Sequence, residues 1–241
     1  MKKKVLLLMI LLMGIFTLTG CFGKDSTKEN KDDKDNKSAI AFKQDYEEIN
    51  GKVNKNGKEH RTIKIDENNK FVETTAEEIV KMIENKETFY VYFGSRLCPW
   101  CRSTIGMADK ISRDNDIEKI YYVDIWDDEG NEILRDKYTI NDGKLEKVSD
   151  ATESYKKLLE YFNDYLEDYT LTDNSGNKIS VGEKRIYAPN YVYVENGKVL
   201  RLTTGTSDKQ KDSREELTEE ILNDEEKMFN EFFANSCNDK C

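Results

Sequence analysis

At 241 residues the chain has the length of one domain with a sizeable core and is short for two. Its formal net charge of -10 argues against nucleic acid or an anionic lipid surface as the main partner, since both are polyanions that attract basic faces. With 36% charged and only 37% hydrophobic residues, the apolar side chains have to be concentrated in a few periodic segments.

Residues 1–20 read as a targeting segment: Lys2, Lys3 and Lys4, an apolar run over 5–18, then small residues up to Cys21. The run is shorter than the roughly 20 residues of a comfortable spanning helix, which favours a cleaved signal over a permanent anchor. Leu18-Thr19-Gly20-Cys21 resembles the lipobox of bacterial lipoproteins. That resemblance implies cleavage before Cys21 and a lipid anchor on its sulfur, on the outer face of the bacterial cytoplasmic membrane. Two acyl chains give stable attachment where one does not. An ordinary signal peptide with a chance cysteine is the alternative. Residues 21–39 carry almost nothing apolar and read as a disordered tether with a reach of roughly 25 Å.

Order is expected near Ile40, in an N-terminal extension over 40–73. Phe42, Tyr46 and Ile49 suggest a short helix, and residues 61–65 alternate like a strand. Thr74 and Thr75 with Glu77 and Glu78 form a capping-box pattern ahead of a helix over 76–84. Residues 88–93 are continuous in β-branched and aromatic side chains, as in a central strand covered on both faces. A helix to about residue 112 and a strand over 120–125 follow, and the alternation points to a parallel α/β arrangement. The spacing of Tyr155, Leu158, Leu159, Phe162, Tyr165, Leu166 and Tyr169 predicts an amphipathic helix over 153–169. Asn196-Gly197 between alternating runs is a hairpin signal. The tail over 214–233 reads as a charged helix with Leu217, Ile221, Leu222, Met228, Phe229, Phe232 and Phe233 on its buried side.

Chemistry is concentrated at Cys98-Pro99-Trp100-Cys101. Two cysteines three apart at a helix N-terminus can close a small disulfide, while free amides and the macrodipole there stabilise a thiolate on the first. Cys98 is the candidate nucleophile and Cys101 the resolving thiol. Arg96 and Arg102 flank the pair, either lowering the pKa of Cys98 or standing in solvent. The motif is also half of a zinc site, with Cys237 and Cys241 as a distant second half, or a structural disulfide. The hydrophobic strand leading into Cys98 favours the redox reading.

The strand over 89–93, the dithiol, and Ala188-Pro189 entering a hairpin over 191–203 resemble the thioredoxin-like superfamily, in particular exported bacterial thiol-disulfide oxidoreductases with a lipoprotein signal. The resemblance spans roughly 74–235 and implies a central mixed sheet flanked by helices, with a helical insertion before a cis-proline hairpin. It also implies that Ala188 and Pro189, with Trp100, contact a substrate peptide. Where family members often carry a buried carboxylate near the end of that strand, Tyr92 stands instead.

Cys237 and Cys241 fit a local disulfide in an exported protein, or a second dithiol feeding the first. His60, the sole histidine, lies in a polar stretch and reads as a surface residue, which disfavours Cys-His catalysis and a copper site. The expected function is disulfide exchange with thiols or disulfides of exported proteins and a redox partner, with no cofactor and no metal. A binding or assembly module stapled by the same cysteines is the alternative.

Overall fold

The structure, a computed structural model, describes residues 31–234. The expected signal segment, Cys21, Cys237 and Cys241 lie outside the described residues. Among the described residues, no helix is long and apolar enough to cross a membrane.

The architecture is mixed α/β. A five-stranded sheet runs in the order β1 (Phe71–Glu73), β3 (Ile120–Asp124), β2 (Phe89–Gly94), β8 (Asn190–Glu195), β9 (Lys198–Thr203). β1 and β2 pair parallel to β3, whereas β8 pairs antiparallel to both β2 and β9. The β8–β9 turn has Asn196 at φ 51 and Gly197 at φ 72, the paired left-handed conformation of a two-residue hairpin. A Cβ on Gly197 would collide with the Ile83 carbonyl, so glycine is required there sterically as well.

Strand alternation divides two chemically different faces. Phe89, Val91 and Phe93 of β2 and Val192 and Val194 of β8 pack with α2 (Ala76–Glu84) and α4 (Glu153–Phe162) in a core of aliphatic side chains and phenylalanines with Tyr155. Tyr90, Tyr92, Tyr122, Tyr191 and Tyr193 point the other way, toward α1 (Lys31–Glu48), α3 (Pro99–Asp114) and α5 (Glu219–Phe233). α2 begins as expected, Thr75 accepting the amide of Glu78.

The N-terminal part differs from its expectation. Helix α1 starts at Lys31, so residues 31–39 are not a disordered tether. Its first turns are held by polar contacts: Asp35 pairs with Lys119 at 2.5 Å, and Ser38 accepts the amide of Glu73. Nor do residues 40–73 form a separate extension, since Phe42, Tyr46, Ile65 and Phe71 share the core with α3 and β1 is a strand of the central sheet. Residues 61–65 alternate inward and outward but form no strand. Their backbone bonds go to side chains of the α1 region instead: Asn50 accepts the Ile63 amide and donates to its carbonyl, and Glu47 accepts the amide of Ile65.

The 153–169 helix is also shorter than expected. α4 ends at Phe162, one 3-10 turn follows, and β6 (Glu167–Thr172) pairs with β7 (Lys178–Arg185). Leu166 and Tyr169 are buried, but Leu166 lies just ahead of β6 and Tyr169 within it. A further hairpin, β4 (Lys137–Asn141) with β5 (Lys144–Ser149), turns at Asp142-Gly143. The segment between β3 and β8 thus contains two hairpins as well as a helix.

Candidate functional site

β2 ends at Gly94, and α3 begins at Pro99 with Cys98 as its N-cap. Proline suits the first helical position, whose amide would have no intrahelical partner. Cys98 is extended at φ -76, ψ 119, and its sulfur accepts the amide of Cys101 at 3.4 Å. The Cys98 thiol donates to the Ala188 carbonyl at 3.4 Å, and the Ala188–Pro189 bond is cis. Residues ninety apart in sequence therefore meet at one sulfur. Both cysteines are free thiols; Cys98 is 4% exposed and Cys101 0%. Only Cys98 reaches the surface.

The two thiols are pushed apart electrostatically. A hydrogen bond from the Cys101 side chain holds the Cys98 thiol below its ordinary value, aided by the amides of Cys101 and Trp100 and the charge of Arg135, against the opposing effect of burial. Burial, followed by the interaction with Cys98, drives the Cys101 thiol well above its ordinary value, although the Tyr92 hydroxyl partly offsets this. A more readily ionised thiol in front and a less readily ionised one behind is the division of labour that nucleophilic attack and then resolution call for.

Neither flanking arginine acts as expected. Arg96 pairs with Asp45 at 3.0 Å and Asp128 at 2.8 Å. Arg102 is neither solvated nor beside the sulfur: it is 1% exposed and donates to the carbonyls of Tyr46 at 2.8 Å and Arg61 at 2.6 Å and to Asn50 Oδ1 at 2.5 Å. It ties α1 and the 61–65 segment to α3. The cation that acts on Cys98 is Arg135, buried and donating to the Ile186 carbonyl at 3.1 Å, with Glu132 as its ion-pair partner. Its place near the dithiol depends on folding of the β3–β8 segment, and no local motif marks it.

His60 is buried rather than on the surface, its amide donating to the Lys52 carbonyl. With Leu97, Pro99 and Trp126 it lines a groove of about 430 Å³ beside the dithiol. Trp100 is half-buried and packs on the tyrosine-rich core, and Pro189 is buried. Among the described residues, no group of three His, Cys, Asp or Glu side chains is assembled to hold a metal.

Tyr92 is 0% exposed, and its hydroxyl lies 2.9 Å from that of Tyr46. A Cβ at Gly94 would occupy the position of this hydroxyl, so the glycine ending β2 makes room for it. Tyr191 stacks on Tyr92 with centroids 4.5 Å apart, and its hydroxyl is 3.2 Å from Thr104 Oγ1. Glu225 of α5, 0% exposed, was missed in the sequence reading. Its signal was its place midway between Ile221 and Phe229 on the apolar stripe of that helix.

Fold and site together define a mixed α/β protein with a buried vicinal dithiol at the start of a helix, faced by a cis X-Pro bond. No protein-family model matches the chain, and no curated protein matches it. Among solved structures it is similar to a thioredoxin-fold protein from Helicobacter pylori, at 13% identity and a TM-score of 0.25, over 62% of this chain and 85% of that one. That likeness is too distant to bear on fold or activity.

Proposed function

We propose that this chain is a thioredoxin-like thiol-disulfide oxidoreductase that exchanges disulfides with exported proteins. The observation that carries the reading is the asymmetric dithiol: Cys98 at the helix N-terminus with its thiol held low, and Cys101 fully buried with its thiol held high. The Cys98 thiolate attacks a substrate disulfide, and a mixed disulfide forms as one substrate sulfur leaves. Cys101 then attacks Cys98, closing the intramolecular disulfide and releasing the second substrate sulfur. In the opposite direction the same steps deliver a disulfide. The cis Ala188–Pro189 bond beside Cys98 supports these two residues as the backbone against which a substrate peptide lies. The groove lined by Leu97, Pro99 and Trp126 extends the same surface.

Attachment to the outer face of the cytoplasmic membrane through Cys21 is part of the proposal and is supported by the lipobox-like Leu18-Thr19-Gly20-Cys21. Cys21→Ser is expected to release the protein from the membrane fraction. The test of the activity is Cys101→Ser in cells: mixed disulfides with exported proteins should accumulate through Cys98, and should disappear when Cys98→Ser is added. Their absence under oxidising conditions would reject exchange in favour of a stapled binding module. The reduction potential of the Cys98-Cys101 couple then decides whether the protein donates or accepts disulfides.

A further inference from the structure

Cys98 follows the end of β2, the strand that β3 and β8 flank. Because β3 runs parallel to β2 and β8 antiparallel, the residues after β3 and those before β8 meet at the same end of the sheet as the dithiol. Trp126 stands just beyond β3 and Ala188 just ahead of β8, and each packs on both hydrophobic cores. Trp126 forms a wall of the groove of about 430 Å³ that Pro99 also lines, and the Ala188 carbonyl accepts the Cys98 thiol at 3.4 Å. The two flanks of the site are thus separate pieces of chain, one on either side of the strand that leads to the nucleophile.

A buried ion pair joins them. Glu132 Oε1 accepts the Trp126 indole N–H at 2.9 Å, while Asp124 Oδ1 accepts the Trp126 amide at 3.0 Å. The Glu132 carboxylate also takes Arg135 in a two-point contact, Nη2 donating to Oε1 at 2.5 Å and Nε to Oε2 at 2.7 Å. The remaining nitrogen of Arg135, Nη1, donates to the Ile186 carbonyl at 3.1 Å, two residues ahead of Ala188. Arg185 Nη2 lies 3.2 Å from Glu132 Oε1, and its Nη1 donates to the Asp136 carbonyl at 2.9 Å. Arg135 is 5% exposed. A buried ion pair is seldom more stabilising than apolar side chains of the same volume, and its best-attested use is to fix one arrangement. The arrangement fixed here is that of Trp126 relative to the segment carrying the cis Ala188–Pro189 bond.

We propose that Glu132 and Arg135 are positioning residues for disulfide exchange, holding Trp126 and the 186–189 segment as the two walls between which the polypeptide of a substrate protein lies. The proposal rests on the dithiol-exchange reading above and deepens it. The pair serves recognition of a polypeptide disulfide, with the side chain next to the substrate cysteine seated on Leu97, Pro99 and Trp126. A small disulfide needs only the Cys98 sulfur and is indifferent to the walls. Arg135 also lowers the Cys98 thiol through its charge. Charge and fork are separable, because lysine supplies the first without the second.

The experiment mixes the reduced full chain with two disulfides that release the same coloured aryl thiolate. One is a symmetric aryl disulfide, the other a short peptide with phenylalanine beside its cysteine, that cysteine being joined to the aryl thiol. In both, the Cys98 thiolate bonds to one sulfur and the aryl thiolate, the better leaving group, departs with the electron pair. Cys101 then displaces the group left on Cys98, so the dithiol is oxidised and the disulfide reduced. Dividing the peptide rate constant by the aryl one cancels the reactivity of Cys98. Arg135→Met, Arg135→Lys and Glu132→Gln should each lower this ratio by about ten-fold, through a higher half-saturating peptide concentration. Arg135→Lys should meanwhile keep an aryl rate near that of the parent. Trp126→Phe, which retains a ring but loses the bond to Glu132, should lower the ratio by about three-fold. If Arg135→Met or Glu132→Gln does not fold, Arg135→Lys and Trp126→Phe decide on the same ratio. A ratio equal to that of the parent in the folded variants, whether both rates hold or both fall in step, would overturn the positioning role alone. Failure of the parent chain to release aryl thiolate from either disulfide would overturn the exchange reading as well.

Discussion

The hydroxyls of Tyr46 and Tyr92 lie 2.9 Å apart in the core, one carried by α1 and the other by β2. This bond connects the N-terminal helix to the strand that leads into the dithiol. It also explains how a phenol can be buried at 0% exposure beside Cys101, because the hydroxyl is hydrogen-bonded when the thiol is its neighbour.

Removing either hydroxyl should leave a buried partner less well satisfied. Tyr46→Phe and Tyr92→Phe are each expected to cost about 1–2 kcal/mol. The double variant should cost less than the sum of the two, by about 1 kcal/mol, because the bond can be lost only once. Urea unfolding of the four proteins checks this, and strict additivity would mean that the hydroxyls do not interact.

Glu225 should make stability depend on pH in a definite direction. Its folded value, about 8, is raised above the ordinary 4.5. Below the ordinary value both states are protonated and there is no penalty. As pH rises, the unfolded chain ionises first, so stability falls until the folded carboxyl also ionises near pH 8. The decline should amount to roughly 3–5 kcal/mol. Glu225→Gln should flatten that portion of the curve and be the more stable protein at pH 8, as measured by urea unfolding across pH 5 to about 8.

Cys98 reactivity should rank its neighbours. Since the Cys101 side chain is the largest influence lowering the Cys98 thiol and Arg135 a smaller one, Cys101→Ala should raise it further than Arg135→Met does. Alkylation rate as a function of pH measures both. Arg135→Lys, which retains the charge, should stay nearer the parent than Arg135→Met.

Arg102 is a structural fastener. Replacing it with methionine strands the Tyr46 and Arg61 carbonyls and takes from Asn50 Oδ1 one of its two donors, and should cost about 3 kcal/mol or more. Proteolysis should then cut within or just after α1 before the rest of the chain, because that helix would be the first element released.

Legibility in the sequence followed the range of the interactions. The dithiol, β2, α2 and the β8–β9 turn were all readable, because a capping pattern, an apolar run, Asn-Gly and a cysteine spacing are local signals, whereas the place of Pro189 beside the dithiol came only from the family resemblance. Residues 61–65 had the alternation of a strand, yet whether a partner strand lay beside them was a question of tertiary packing, and the side chains of Asn50 and Glu47 took its place. Tyr169 fell on a helical period that a hairpin partner overrode, as β6 pairs with β7 where the end of the 153–169 helix was expected.

By itself the sequence determined where the thiols stand: two cysteines at the start of a helix, in an acidic chain whose front end resembles an export signal. Only the tertiary structure decided how those cysteines differ. Periodicity states which side of an element faces inward but not what faces it from elsewhere in the chain. The depth of Cys101, the tyrosine hydroxyls behind it, the distant Arg135 and the carboxyl of Glu225 each depend on contacts between residues far apart in sequence, and electrostatic influence in a low-dielectric core is set by those distances.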